Sequence, residues 1–127
     1  MAASGDVPLS EAGLIRAEKL KDILKDKKIK FIFSTNTQRT LSTARPFSIV
    51  SATEITIYNP KDSTFTGRLK KLKKNTLIVG HSNTIDNVVN ELAGYIYLPG
   101  DIPDNEYNNL FVIKCRGKNV SVKRLKY

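Results

Sequence analysis

Ile29-Lys-Phe-Ile-Phe-Ser34-Thr-Asn-Thr-Gln-Arg-Thr-Leu-Ser-Thr-Ala44 passes within a few residues from a short apolar run to a helical pattern. The run Ile29 to Ser34 is rich in β-formers, which predicts a strand buried on both sides and ending at Ser34-Thr-Asn36. A helix is expected from Thr37 to Arg45, where Pro46 removes a backbone donor and clashes with the preceding turn. The same grammar recurs later. Thr76-Leu-Ile-Val79 reads as a strand and Gly80-His-Ser-Asn83 as a tight loop. Thr84 to Ala93 then reads as a helix with Ile85, Val88, Val89 and Leu92 inward. Strands alternating with helices predict a mainly parallel sheet, and such sheets take ligands beyond the carboxyl ends of their strands. The two loops Ser34 to Arg39 and Gly80 to Asn83 fall at those ends.

Working outward, Ser10 is placed to cap a helix whose first turn holds Glu11. Leu14, Ala17, Leu20, Ile23 and Leu24 recur at helical spacing and are expected to face a core. Glu54 to Tyr58 alternates as a strand, and Asn59-Pro-Lys-Asp62 is a turn. A short basic helix follows, with Phe65, Leu69 and Leu72 on one side and Arg68, Lys70, Lys71, Lys73 and Lys74 elsewhere, as on a solvated amphipathic surface. Asn109 to Cys115 and Asn119 to Leu125 flank Arg116-Gly-Lys118 as a hairpin. The expectation is one domain over residues 1–127. It is an α/β three-layer sandwich with a mainly parallel central sheet, helices on both faces, and a C-terminal antiparallel hairpin supplying an edge strand.

The 127 residues suffice for one hydrophobic core, and 40% hydrophobic with 26% charged residues is a globular balance. Lys and Arg number 21 against 12 acids, and the resulting +9 favours anionic partners: phosphorylated metabolites, phosphoproteins, nucleic acid or membrane surfaces. The single cysteine, Cys115, has no internal disulfide partner and reads as a buried strand thiol. No apolar run approaches membrane-spanning length, and Met-Ala-Ala-Ser-Gly-Asp lacks the marks of a signal peptide, so a cytoplasmic protein is expected.

His81, the one histidine, sits where Gly80 permits close backbone approach and the following helix offers unpaired N–H groups, a place to hold a phosphate. Alone it equally fits a histidine that packs in a loop. Arg39, one turn into the helix after the first strand, would aim a planar fork of donors across the same sheet edge. Alone it fits better a surface arginine paired with an acid. Asp62 is the candidate for a leaving-group acid, with Glu54 behind it, although both also suit a solvated surface. One histidine and one cysteine amid unclustered acids lack metal-ligand spacing, so no metal and no cofactor are expected.

Taken together, three ordered segments resemble the histidine phosphatase superfamily, the phosphoglycerate-mutase-like group and its short bacterial phosphohistidine-phosphatase-like branch. Val7-Pro-Leu-Ser-Glu-Ala-Gly-Leu-Ile-Arg-Ala-Glu18 is like its PLT-x-x-G-x-x-x-A segment, and Phe33 to Ala44 is like its S-S-x-x-x-R-x-x-x-T-A segment. Val79-Gly-His-Ser-Asn-Thr84 is similar to its second histidine motif. The resemblance implies metal-free phosphoryl transfer through a phosphohistidine whose imidazole lies in an N-terminal Arg-His motif. Arg39 and His81 match the later residues that bind and polarise the phosphoryl group. Ser34, Thr40, Gly80 and Asn83 are the further phosphate-binding candidates the resemblance implies.

No second histidine is present to act as nucleophile. The resemblance therefore implies a chain that starts after the Arg-His motif, is inactive as given, and lacks the first, central strand. Removing such a strand strips hydrogen-bond partners from both neighbours, so a strand from another copy is expected to fill the slot. Three functions follow. A phosphatase acting on a phosphorylated small molecule or phosphoprotein leads, and it is preferred to a mutase because the segment between Pro60 and Asn75 leaves little room for a lid. A non-catalytic phosphate-binding pseudophosphatase is the alternative. A basic nucleic-acid-binding domain ranks third, because no RNA-binding or helix-turn-helix signature accompanies the charge. Neither nucleic acid nor membrane is expected as a partner.

Overall fold

The computed structural model describes residues 10–72, 74–80, 85–95, 98, 109–116 and 119–126. Their order is α1 (Glu11–Leu24), β1 (Phe31–Ser34), α2 (Gln38–Ser51), β2 (Ile55–Ile57), α3 (Phe65–Leu72), β3 (Thr76–Val79), α4 (Ile85–Ala93), β4 (Asn109–Arg116) and β5 (Asn119–Lys126). β1 lies between β2 and β3 and is parallel to both, with Ile32 opposite Ile55 and Leu77, and Ser34 opposite Ile57 and Val79. The chain is thus an α/β protein with an open parallel sheet. β4 and β5 pair antiparallel, Leu110 opposite Leu125 and Val112 opposite Lys123. Their connection at 117–118 lies outside the described residues. They form a two-stranded sheet of their own, not an edge of the parallel one, because they answer to a different core.

Two clusters explain that division. Leu20 and Leu24 of α1, Ala44 and Phe47 of α2, Ile32 of β1 and Leu77 of β3 close one core on a single face of the parallel sheet. Full burial of side chains such as Ile32 and Phe47 contributes roughly 1.5–3 kcal/mol each. The second core joins Val89 of α4 to Leu98, with Ile85, Phe111 and Val122 packed against it, and so ties α4 to the β4–β5 sheet. Asn90 fixes the chain beyond α4: its side chain donates to the Leu98 carbonyl at 2.7 Å and accepts from the Leu98 N–H at 2.8 Å. Gly94, at φ +81°, ends α4 in the left-handed conformation that glycine adopts without a steric cost.

Several expectations need amendment. Ser10 does cap α1, its hydroxyl accepting from the Gly13 N–H at 3.1 Å, but the buried stripe is Gly13, Ala17, Leu20 and Leu24. Leu14 is 51% exposed, because these four residues recur at spacings of four, three and four, one step round the helix from it. β1 is buried on one face only. Ile32 is sealed in the core beneath α1 and α2 and Ser34 is fully buried, while Phe31 is 37% exposed and Phe33 meets Phe31 and the edge of Phe65 from α3. Helices do occupy both faces, but the second face is partly open.

α2 does not stop at Pro46; it runs on to Ser51, since Phe47 beyond the proline is locked into the core. The helix ends instead at Ala52, at φ 54°, whose N–H reaches the Ile49 and Ser48 carbonyls. α3 is a basic helix as expected, spanning Phe65–Leu72; Lys73 lies outside the described residues, and Lys74 is beyond the helix.

Candidate functional site

The carboxyl ends of β1 and β3 are drawn together by backbone alone. Ser34 pairs with Val79, and the next N–H, that of Thr35, donates to the Val79 carbonyl at 3.2 Å. Gly80 therefore stands beside the start of the Ser34-to-Arg39 loop, as the sheet argument required. The Tyr58 N–H donates to the Ser34 carbonyl at 3.0 Å, which brings the end of β2 to the same edge.

The loop from β1 into α2 is held by threonines. Thr37 caps α2, its Oγ1 accepting from the Thr40 N–H at 3.3 Å. The buried Thr40 hydroxyl donates to the Thr35 carbonyl at 2.8 Å, accepts from the Thr35 hydroxyl at 3.0 Å, and lies 2.8 Å from the Thr37 hydroxyl. Its capacity is thus spent inside the turn. The Ser34 side chain is fully buried and donates to the Thr35 carbonyl at 2.9 Å. Ser34 and Thr40 shape the loop rather than lie open to a ligand.

Arg39, by contrast, is exposed in the first turn of α2. No acid shares that turn, and among the described residues no ion pair engages the guanidinium. The amino end of a helix carries a partial positive charge and free N–H groups, so a cation placed there without a counter-ion is mildly unfavourable. The surface-ion-pair explanation for Arg39 therefore finds no support in its surroundings. The arrangement sets the Arg39 cation and the amino end of α2 together at the carboxyl edge of the sheet.

His81 and Asn83 lie outside the described residues. Asp62 sits in the turn before α3, where its Oδ1 accepts from the Thr64 N–H at 2.9 Å and the Thr64 hydroxyl at 2.7 Å. Its other oxygen pairs with Arg68. The hydrogen bonds from Thr64 first, and then the charge of Arg68, hold its carboxyl below the usual value. That direction favours the carboxylate and opposes proton donation to a leaving group. Glu54 is exposed ahead of β2, at the end of the strands away from Gly80.

Asp86 is not among the residues expected at the site. It lies in the first turn of α4, is 5% exposed, and its Oδ1 has no hydrogen-bond partner among the described residues. The signal was legible: Asp86, Val89 and Ala93 fall at spacings of three and four, on the buried stripe of the helix.

The parallel sheet, with Arg39 in the first turn of α2 at its carboxyl edge, defines an α/β protein. Comparison with known families finds that residues 1–59, which contain Arg39, match the model of the histidine phosphatase superfamily (branch 1). No curated protein matches the chain.

Proposed function

We propose that the chain forms the phosphate-binding part of a phosphatase of the histidine phosphatase superfamily. The observation that carries this reading is Arg39, exposed and without an acid in the first turn of α2, beside the edge where Ser34 and Thr35 meet Val79. Arg39 binds and neutralises the phosphoryl oxygens, and His81 donates to them from the facing loop. Gly80 leaves room for the phosphate, and N–H groups near Asn83 complete the cradle. Thr40 and Ser34 act by fixing the loop that presents Arg39.

His81 is the single histidine of the 127 residues and is occupied in stabilising the phosphoryl group. The attacking imidazole accordingly comes from outside these residues. Its nitrogen forms an N–P bond as the bond from phosphorus to the leaving group breaks, P–O in a phosphomonoester and P–N in a phosphohistidine; the leaving group takes a proton from solvent, and water then cleaves the enzyme's N–P bond and releases phosphate. The substrate is a phosphomonoester or phosphohistidine on a small molecule or protein.

Calorimetric titration with inorganic phosphate and vanadate tests the reading. Binding that falls at least tenfold in Arg39→Ala and in His81→Ala, with no hydrolysis of an aryl phosphate by the 127 residues alone, is expected. Binding unaffected by either substitution overturns the site, and turnover by the isolated chain overturns the external nucleophile.

A further inference from the structure

Opposite the Arg39 edge, the fold assembles a second cationic feature from two distant parts of the chain. The loop between α1 and β1 holds Lys25, Lys27, Lys28 and Lys30, with Asp26 as its one acid, and all of them are exposed. The end of α3 and the turn beyond it hold Lys70, Lys71 and Lys74, also exposed. Asn75 joins the two stretches. Its side chain donates to the Lys27 carbonyl at 2.7 Å, and its own carbonyl accepts from the Lys30 N–H at 2.8 Å. The Thr76 hydroxyl donates to the Lys74 carbonyl at 3.0 Å and fixes the approach from α3. Among the described residues none of these seven lysines enters an ion pair.

Phe31 sits at the centre of this edge. It pairs in register with Thr76, stacks on Phe33 at 6.5 Å between centroids, and leaves 37% of its surface in solvent. The cations are all lysines, which are flexible point charges without the planar fork that reads bases or grips one phosphate in two places. The arginine of α3, Arg68, is turned to Asp62 and to the face of Phe65. A single-stranded nucleic acid would call for several stacking aromatics along a groove, and this edge presents one. Diffuse lysine charge around one protruding apolar ring matches instead a surface of many mobile anionic headgroups over an apolar layer.

We propose that the amino-terminal edge of the parallel sheet is a docking surface for anionic lipid bilayers, through Lys27, Lys28, Lys30, Lys70, Lys71 and Lys74 with Phe31 as the apolar contact. The absence of a membrane-spanning run led to the opposite expectation, but adsorption to a surface needs no span. Among the described residues no helix is long and apolar enough to cross a membrane. β1 and β3 run from this edge to the Arg39 edge, four residues or about 13 Å away, so a docked molecule holds its anion-receiving edge toward the aqueous phase.

The test is co-sedimentation of the whole chain with vesicles of phosphatidylcholine, with and without phosphatidylserine. Binding only to the serine-containing vesicles is expected, weakening steeply with salt. The triple variant Lys27→Glu, Lys28→Glu, Lys74→Glu should lose on the order of a hundredfold in affinity. A variant with the same change in net charge, Lys19→Glu, Lys61→Glu, Lys123→Glu, should lose far less. Phe31→Ser should weaken binding severalfold at unchanged charge. Equal losses in the two triple variants would reduce the effect to net charge and overturn the proposal. So would binding to single- or double-stranded oligonucleotides that exceeds vesicle binding at matched salt and depends on the same three lysines.

Discussion

Replacing Arg39 by alanine should raise the stability of the ligand-free protein while abolishing its response to phosphate. In the structure the guanidinium stands in the first turn of α2 with no acid in that turn and no ion-pair partner among the described residues. A cation at that end of a helix opposes the macrodipole by about 0.3–1 kcal/mol, and alanine adds a few tenths in helix propensity. For a chain of 127 residues this corresponds to a midpoint about 1–5 °C higher. Phosphate at a hundred times its Kd should stabilise the parent by about 2.7 kcal/mol and leave the variant unmoved, so the order of the two midpoints reverses when phosphate is added. Thermal unfolding followed by circular dichroism, in a phosphate-free buffer and then in phosphate, reads both effects. An Arg39→Ala variant that is less stable without phosphate would refute the argument, since the arginine would then be holding the fold together.

Thr40→Val keeps the shape of the side chain but removes the hydroxyl that serves the Thr35 carbonyl and the Thr35 hydroxyl; a loss of about 2–3 kcal/mol in urea unfolding is expected, with weaker phosphate binding. Tyr58 is buried against Phe65, its hydroxyl has no partner among the described residues, and burial pushes its pKa up to about 12. Above the ordinary phenol value the unfolded chain ionises while the folded one does not, so stability should fall as pH rises from about 10 to 12. Tyr58→Phe should flatten that part of the stability profile and leave neutral-pH stability equal or slightly higher. Ala52→Gly, at a left-handed helix end, should stabilise by about 1 kcal/mol, measured by the shift in denaturation midpoint.

What the sequence disclosed was whatever depends on neighbours a few residues apart. The Ser10 cap, the β3 strand and the pairing of Ser34 with Val79 all follow from short-range chemistry or from the rule that parallel strands end together. Pro46 misled because the cost of a proline is local, whereas Phe47 in the core rewards continuing the helix. Leu14 misled because hydrophobicity marks a face only to within a step of the helix, and packing against α2 selected the smaller Gly13 and Ala17. Asp62 is held by Thr64 and Arg68, contacts that its place in a turn does not announce. The lysine edge could not be read at all, since it exists only once Asn75 has brought residues 27–30 against residue 74.

The two hydrophobic cores give the binding edge a mechanical meaning. Arg39 is anchored through α2 to the core beneath α1, whereas α4, which follows His81 in the sequence, is anchored through Val89 to the β4–β5 sheet. Each cluster is a natural unit of local opening. An anion gripped from both sides would cross-link the two units, so occupancy should show as slower amide exchange in α4, far beyond the atoms the ligand touches.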